Sequence, residues 1–338
     1  MEVQVTGGTG YVGSHTVAEL VHGGHDVKLL VRDPSRIRPA LEPLGVGEVE
    51  SVTGDVTDKG SVEQALDGCD SVIHCASVYS LDPRAAGRIK KTNVDGTELV
   101  IGAAHERGLD PIVHVSSFVV LIGERGKVLT PDSLPTEPKA VYPRSKADSD
   151  RVARQHQEKG APVVITYPGM VWGPYDPHLG DTCQTAKSIL RRAWTFIPMG
   201  GVPPSDVRDV AKPHAAVLEK DRGPRRYISP SQNVPVKDMM WTVSRVTGRW
   251  LSTIALPGWM LSWPKRMVDA IQLISPVRMP FNFQAVYIAV LNHKVAASLT
   301  RTEFGMEPDP VEQSIADTIR WMYESNHLSR SVAGRLAT

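Results

Sequence analysis

The chain has few cysteines, almost no excess of positive over negative charge and no long apolar run, and each of these features excludes a class of protein. Its 338 residues include three cysteines, Cys69, Cys75 and Cys183, an odd and small number that does not suit a disulfide framework and indicates a reducing cytoplasm. Lysine and arginine total 38 against 37 aspartates and glutamates, and the net charge of +1 gives no electrostatic reason to expect nucleic acid or an anionic membrane as a partner. No run of 18 apolar residues could span a bilayer, and strand-like residues begin at position 3, which leaves no space for a signal peptide. The composition therefore predicts a soluble, cytoplasmic protein.

Metal-ligand spacing is also missing. The closest pair is His22 and His25, which are separated by two glycines typical of the end of a helix. No metal site is predicted.

A glycine-rich turn stands near the N-terminus, in the segment Thr6–Gly13 with the sequence TGGTGYVG. It follows an apolar alternation at residues 3 and 5 and precedes a helical pattern, and a second buried strand is predicted at 27–31. Gly7 permits a tight turn, Gly10 lets backbone N–H groups approach a pyrophosphate, and Gly13 lets the helix pack closely on the sheet. The pattern predicts a nucleotide-binding strand–turn–helix–strand unit.

Strand and helix patterns alternate through the first half of the chain. The strand patterns lie at 49–52, 71–74, 111–115 and 163–167, and the helical patterns at 62–66, 84–107 and 142–159. This alternation predicts an α/β fold, a Rossmann-type doubly wound parallel sheet covered on both faces. Five of the 26 prolines precede residue 131, so the later part is richer in turns and marks a smaller, mostly C-terminal α/β lobe. We expect a nucleotide-binding domain at 1–167 plus about 205–230, and a substrate-binding lobe at 168–204 and 231–338.

Tyr142 and Lys146 are the candidate chemical pair. Residues i and i+4 share one face of a helix, so the two side chains are expected to be neighbours. Tyrosine ordinarily loses its proton near a pKa of about 10, and a tyrosine acid/base therefore needs a nearby cation that lowers this pKa. Lys146 is placed to be that cation.

Taken together, these residues resemble the extended short-chain dehydrogenase/reductase family over nearly the whole chain, and in particular its dihydroflavonol-reductase-like and 3β-hydroxysteroid-dehydrogenase-like members. Besides the glycine turn and Tyr-x-x-x-Lys, the matching segments are Gly54–Asp58, His74–Ala76, Asn93–Thr97, Val115–Ser117, Pro168–Pro174 and Asp206–Ala211. The resemblance implies a nicotinamide cofactor, with a serine, a tyrosine and a lysine as catalytic residues. Ser117 matches the serine that hydrogen-bonds the substrate oxygen, Tyr142 the residue that gives or takes the proton, and Lys146 the residue that holds the nicotinamide ribose.

The resemblance also implies which residues bind the cofactor. They are Gly7, Thr9, Gly10, Tyr11, Val12, Gly13, Asp55, Val56, Cys75, Ala76, Ser77, Tyr142, Lys146, Pro168, Gly169 and Val171. Asp55 and Val56 are expected near the adenine, 75–77 beside the ribose and pyrophosphate, and 168–171 beside the nicotinamide.

The end of the second strand favours NADP(H) over NAD(H). An NAD enzyme usually has an acidic residue there, which bonds the ribose hydroxyls and repels a 2′-phosphate. Here Val31 holds that position and is followed by Arg32 and Arg36, whose guanidinium groups can bind a phosphate. Asp33 is the objection, but Pro34 indicates that Asp33 belongs to the outgoing turn.

An apolar pocket is expected around the substrate, lined by Tyr79, Phe118 and Met170. Sugar-nucleotide dehydratases carry an acidic pair after the catalytic serine or threonine, whereas this chain has Phe118 and Val119. The sequence therefore favours an oxidoreductase acting on a largely hydrophobic ketone, aldehyde or alcohol. A nucleotide-sugar epimerase and an NADP-sensing or scaffold protein remain the alternatives, and the helices at 84–107 and 142–159 are those that form a homodimer in many relatives.

Overall fold

The computed structural model describes residues 1–79, 83–138, 141–192, 194–262 and 283–337. Its centre is a parallel sheet of seven strands in the order β12-β7-β5-β4-β1-β2-β3. The strands are β1 (Glu2–Thr6), β2 (Asp26–Val31), β3 (Glu50–Thr53), β4 (Ser71–His74), β5 (Ile112–Val115), β7 (Val163–Tyr167) and β12 (Arg225–Ile228). The chain runs outward from β1 to β3 and returns to β4 on the other side of β1, so the order reverses between β1 and β4. Ligands bind at such a reversal, at the carboxyl ends of the strands.

Helices cover both faces of this sheet because alternate residues along each strand point to opposite sides. On one face, Val72, Ile112 and Ile165 pack against α3 (Lys59–Leu66), α5 (Gly96–Glu106) and α6 (Val141–Glu158). On the other, Ile73 and Val113 pack beneath α1 (Tyr11–His22), α2 (Ile37–Leu41) and α8 (Val207–Ala216). Burial of each of these aliphatic side chains stabilises the folded state by about 1.5–3 kcal/mol relative to leaving it exposed. The predicted Rossmann-like α/β fold is confirmed.

A third apolar cluster forms the smaller lobe. Its helices are α7 (Asp181–Leu190), α9 (Val236–Thr247), α11 (Phe283–Leu291), α13 (Val311–Glu324) and α14 (Arg330–Ala333). The remaining helices are α4 (Ala86–Lys90), which precedes α5, α10 (Gly258–Ser262) and α12 (Ser298–Phe304), whose Phe304 packs on the second cluster. The short strands of this lobe are β8 (Met170–Trp172), β9 (Trp194–Pro198), β10 (Gly201–Val202), β11 (Pro204–Asp206), β13 (Val234–Pro235) and β14 (Ser252–Leu256). Two more, β6 (Val128–Leu129) and β15 (Lys294–Val295), pack instead on the first apolar cluster, beside the large sheet. They pair two by two, for example β14 with β9 and β11 with β8.

Two further features bear on the sequence predictions. The three cysteines are free thiols. Within the described ranges, no helix is both long enough and apolar enough to pass through a bilayer.

Candidate active site

The glycine turn adopts the tight geometry that its sequence predicts. Gly7 has φ +71°, and a Cβ there would lie 2.7 Å from the backbone nitrogen of Ala76, at the end of β4. A Cβ at Gly13 would lie 2.1 Å from the carbonyl oxygen of Gly7. Inside the turn the Gly10 amide donates to the Gly7 carbonyl at 2.9 Å. The turn therefore brings α1 against the β1 and β4 ends and leaves no space for larger residues at 7 and 13.

The start of α1 suits the pyrophosphate of a dinucleotide. Its N-cap residue, Gly10, has no side-chain cap, and the first turn holds no acidic residue. The first amide groups of the helix therefore keep their hydrogen-bonding capacity and their partial positive charge for an anion. The residues present fit the cofactor that the resemblance implied.

The Tyr11 phenol has a different role from the neighbouring amides. Its hydroxyl donates to the Gly173 carbonyl at 2.7 Å, and burial raises the pKa of this phenol. A Cβ at Gly173, which has φ +142°, would come within 3.0 Å of that hydroxyl oxygen. The side chain thus links α1 to the segment after β8, and the backbone of Tyr11 is the part left for a cofactor.

Asp33 closes a short turn directly after β2. Its carboxylate accepts hydrogen bonds from the Ser35 amide at 3.1 Å and hydroxyl at 2.6 Å, and Arg36 lies 3.3 Å away as an ion pair. Arg32 is exposed, and its guanidinium makes no hydrogen bond or ion pair to any other described residue. The expected placement of Asp33 in the outgoing turn is confirmed, and Arg32 remains available to a ligand.

Asp55 and Val56 occupy a second turn, after β3. The Asp55 carboxylate accepts from the Thr57 amide at 2.9 Å. Val56 is 8% exposed and contacts Gly96 on α5, where an added Cβ would approach Val56 Cγ2 to 3.0 Å. Val56 therefore packs in the core.

Lys146 joins α6 to the end of β5. Its ammonium donates to the Val115 carbonyl at 2.9 Å, and burial lowers the pKa of Lys146 to about 8. The contact arises because Lys146 lies on the buried face of α6, one turn after Tyr142. The helix thus places the cation at the carboxyl edge of the sheet.

Tyr142 lies in the first turn of α6, with its ring 4.5 Å from the ring of Tyr79 and nearly perpendicular to it. Burial, reinforced by the charge of Asp181, raises the pKa of Tyr142 to about 12. This direction is opposite to the lowering expected from the sequence. The main cause is the loss of hydration when the phenol is buried.

Ser117 follows β5 and is partly exposed. It is the N-cap of the 3₁₀ turn Phe118–Leu121, and its hydroxyl oxygen accepts a long hydrogen bond of 3.4 Å from the Val119 amide. Ser116 is 4% exposed and instead donates to Asp150 on α6 at 2.7 Å. The two serines therefore face different surroundings.

The three predicted substrate residues are not equivalent. Tyr79 is 42% exposed beside Tyr142, and Met170 is partly buried in β8. Phe118, however, is 4% exposed and belongs to the core cluster between the sheet and α6, as does Val119. This burial argues against direct substrate contact by Phe118.

Gly169 and Cys75 lie in close-packed backbone at the same edge. A Cβ at Gly169 would lie 2.2 Å from the Pro203 carbonyl oxygen, so this position requires glycine. Burial raises the pKa of the Cys75 thiol to about 12, which leaves it protonated at neutral pH. Cys75 is therefore not a nucleophile here.

A buried hydrogen-bond chain supports the site and was missed as functional in the sequence. The Thr6 hydroxyl lies 2.7 Å from His74 Nδ1, and His74 Nε2 lies 3.0 Å from the Thr97 hydroxyl. Thr97 donates to the Asn93 carbonyl, so His74 must donate through Nε2 and accept at Nδ1 as a neutral ring. Burial lowers the pKa of His74 to about 3, which agrees with a neutral ring.

Asn93 continues this chain toward Tyr142. It lies in a π-helical segment, Lys91–Asp95, between α4 and α5. Its amide bonds both backbone groups of Val78 and the Ser145 hydroxyl, which donates to the Tyr142 carbonyl at 2.7 Å. The motifs containing His74 and Asn93 were visible in the sequence, but their contacts depend on β4, α5 and α6 meeting.

Known proteins share this architecture. The sequence profile described as the NAD dependent epimerase/dehydratase family matches residues 3–228. A putative dihydroflavonol 4-reductase of Synechocystis sp. is 29% identical over 335 residues, covering 96% of this chain and 94% of the relative. Sterol demethylase protein B of Methylococcus capsulatus is 27% identical over 336 residues, covering 96% and 99%. The crystal structure of gox2253 has a TM-score of 0.79 at 26% identity, covering 97% of this chain and 99% of that one.

The family profile extends over well over half of the chain and contains the glycine turn, Tyr142 and Lys146. The resemblance seen in the sequence is confirmed. The chain belongs to the NAD dependent epimerase/dehydratase family, that is, to the nicotinamide-dependent extended short-chain dehydrogenases/reductases.

Proposed function

We propose that the protein is an NADP(H)-dependent oxidoreductase that interconverts a largely hydrophobic ketone or aldehyde and its alcohol. The observation that carries this proposal is the position of Lys146, which is buried on the Val115 carbonyl at the sheet edge, one helical turn after Tyr142. Both groups lie in the half of the molecule that contains the glycine turn fitted to a dinucleotide.

A bound nicotinamide dinucleotide supplies or accepts the hydride, and the residues of the chain hold and orient the dinucleotide. The amides at the start of α1 bind the pyrophosphate, and Asp55, together with the small exposed part of the buried Val56, borders the adenine. Residues 75–77 lie beside the ribose and pyrophosphate, and residues 168–171 border the nicotinamide. Lys146 binds the hydroxyls of the nicotinamide ribose.

Proton transfer then falls to Tyr142. In the reductive direction its phenol gives a proton to the substrate oxygen while the Ser117 hydroxyl donates a hydrogen bond to the same oxygen. A pKa of about 12 opposes the phenolate that is left. Two pKa units correspond to about 3 kcal/mol, a cost that the protonated ammonium of Lys146 lowers in the proposed reaction.

The preference for NADP(H) rests on Arg32. This exposed guanidinium stands directly after β2, whereas the carboxylate of Asp33 is engaged with Ser35 and Arg36. A guanidinium binds the 2′-phosphate of NADP(H) through charge-assisted hydrogen bonds, and NAD(H) has no such phosphate.

Replacing Arg32 with alanine tests this assignment. We expect Arg32→Ala to raise the Kd of NADPH by about tenfold or more and that of NADH by less than about twofold, because a charge-assisted hydrogen bond contributes roughly 1.5–3 kcal/mol. Calorimetric titration with both cofactors measures the two changes. Arg38→Ala is the matched control, since Arg38 is 82% exposed and pairs with Glu42. Equal weakening of NADPH and NADH would remove the phosphate assignment.

The hydrophobic substrate is supported by Tyr79, whose exposed ring lies against Tyr142, and by the names of two relatives, a putative dihydroflavonol 4-reductase and a sterol demethylase protein. A polar sugar in apolar surroundings would leave hydroxyl groups without hydrogen-bond partners.

A panel of aromatic, terpenoid and steroid carbonyl compounds provides the test. We expect at least one apolar carbonyl compound, and none of the UDP-sugars, to support NADPH oxidation. The reaction is monitored by the absorbance of the reduced nicotinamide. Heat release on titration with a UDP-sugar, together with conversion of that sugar and no carbonyl reduction, would instead establish a nucleotide-sugar epimerase.

A further inference from the structure

Four ionisable side chains follow one another at four-residue steps along α6: Tyr142, Lys146, Asp150 and Arg154. This spacing places them on one helical face, at a rise of about 6 Å per step. Lys146, Asp150 and Arg154 are 5%, 0% and 9% exposed. The proposed reaction uses the first two members of this row and gives no role to Asp150.

Asp150 is held by hydrogen bonds on both of its oxygens. Oδ1 accepts from the Ser116 hydroxyl at 2.7 Å, and Oδ2 accepts from Arg154 Nε at 2.8 Å. Arg154 also donates to the Tyr167 hydroxyl at 2.7 Å and to the Ser133 carbonyl at 2.9 Å. The guanidinium is thus shared among several acceptors, and the buried carboxylate has a cationic partner.

The groups that face Lys146 from other elements carry no charge at neutral pH. His74 on β4 and His114 on β5 have their pKa lowered by burial, and the Cys75 thiol has its pKa raised to about 12. Tyr142 on α6 itself is a neutral phenol, with its pKa raised to about 12. Among the described surroundings of Lys146, Asp150 is therefore the group that supplies negative charge.

We propose that Asp150 is a positioning residue with two effects: its carboxylate keeps Lys146 protonated, and its bond to Ser116 fixes the strand end that carries Ser117. This inference rests on the proposed function for its purpose, since Lys146 stabilises the phenolate only as an ammonium. The link from α6 to Ser116 also sets the backbone of the neighbouring serine relative to Tyr142.

The first test is the titration of Lys146 itself, which needs no substrate. In protein labelled with [¹³Cε]lysine, the Lys146 signal is assigned by its loss in Lys146→Arg and followed against pH by NMR. We expect Asp150→Asn to lower the titration midpoint of Lys146 by about one pH unit or more, a tenfold loss of proton affinity. Asp150→Glu keeps the midpoint, and so does the control Asp148→Asn, because Asp148 is 37% exposed and pairs with Arg151. An unchanged midpoint in Asp150→Asn overturns the charge role.

If Asp150→Asn does not fold, a second variant tests the same charge role. Removing one partner of a buried pair strands the other charge, whereas replacing both with uncharged residues is often neutral. Asp150→Asn combined with Arg154→Met therefore removes the carboxylate without leaving a bare guanidinium. The proposal requires the Lys146 midpoint to fall here too, by less than in Asp150→Asn because the guanidinium that repels the ammonium is also removed. Far-UV circular dichroism reports the fold.

The second effect is tested with Ser116→Ala, which keeps the carboxylate and removes its bond to the strand end. We expect an unchanged Lys146 midpoint and an unchanged Kd for the cofactor, with a fall in kcat of about tenfold on any substrate the wild-type protein turns over. An unchanged kcat contradicts the link to Ser117. If the wild-type protein turns over nothing, the proposed function fails, while the lysine titration still decides the charge role of Asp150.

Discussion

At the scale of single residues, two positions of the site require glycine because no side chain would fit there. A methyl group at Gly13 would overlap the Gly7 carbonyl, and a methyl group at Gly169 would overlap the Pro203 carbonyl. At Lys146 and Tyr142 the side chains themselves matter. Burial lowers the pKa of Lys146 and raises that of Tyr142, so that both shifts favour the uncharged form. The sequence predicted which residues these are, because Gly-x-x-Gly and Tyr-x-x-x-Lys are local patterns. It could not predict the direction of the Tyr142 pKa shift, which depends on what covers the ring.

Gly13→Ala measures the need for close approach at the turn. The Cβ would lie 2.1 Å from a backbone oxygen, so α1 must move away from the turn, and we expect cofactor binding to weaken by about a hundredfold and the free energy of unfolding to fall by about 2 kcal/mol. Gly102→Ala is the matched control, because it also lies inside a helix but its Cβ would meet nothing closer than 3.9 Å. There we expect equal or greater stability, since alanine favours a helix by about 1 kcal/mol. Calorimetry measures the Kd of the cofactor, and urea titration measures the free energy of unfolding. Wild-type values of both for Gly13→Ala would contradict the close packing of the turn.

At the scale of elements, local periodicity was informative for the first half of the chain and much less so afterwards. The strands at 71–74 and 163–167 have the predicted bounds, and the helix at 141–158 lies within one residue of the predicted 142–159. The π-helical segment at 91–95 was not predicted, because it depends on the bonds from Asn93 to Val78 and Ser145. The parallel pair of β9 and β14 was also missed, since its strands are far apart in sequence and no local pattern records their meeting.

His214 shows how elements are joined by a neutral ring. It lies on α8, fully buried, 2.8 Å from the Thr16 hydroxyl on α1 and 3.0 Å from the Thr166 hydroxyl on β7. Thr16 donates to the Val12 carbonyl, so His214 donates from Nδ1 and accepts at Nε2. Burial lowers the pKa of His214 to about 3.

The stability of the protein is therefore expected to fall in acid. The folded chain binds this proton more weakly than the unfolded chain, so the contribution is complete above a pH of about 6.5 and is lost toward pH 3, at up to about 1.4 kcal/mol per pH unit. Urea unfolding between pH 4 and 7 should show a shallower pH slope for His214→Gln than for the wild-type protein. The exposed His178 is the control, and His178→Gln should keep the wild-type slope. Identical slopes for all three would show that His214 binds its proton equally well in the folded and unfolded chains, which would contradict the lowered pKa.

At the scale of the whole molecule, the two lobes are connected beside the candidate site. Arg208 on α8 bonds Asp206 at 2.7 Å and reaches Asp317 on α13 at 2.9 Å, and Tyr11 bonds Gly173 after β8. These contacts set the C-terminal lobe against the glycine turn, with the ends of β1, β4 and β5 nearby. The general architecture followed from the sequence, but the boundary at 1–167 with 205–230 stays a prediction, although β12 at 225–228 does supply an edge strand of the sheet.

The most direct test of the central claim is Tyr142→Phe, assayed for both cofactor binding and turnover. The substitution removes one oxygen from a ring that packs on Tyr79 and leaves Lys146 on the Val115 carbonyl. We predict a Kd for NADPH within about twofold of the wild-type value and a loss of carbonyl reduction of about a thousandfold, as expected when a general acid is removed. Carbonyl reduction at the wild-type rate by a variant that binds NADPH normally would contradict the account.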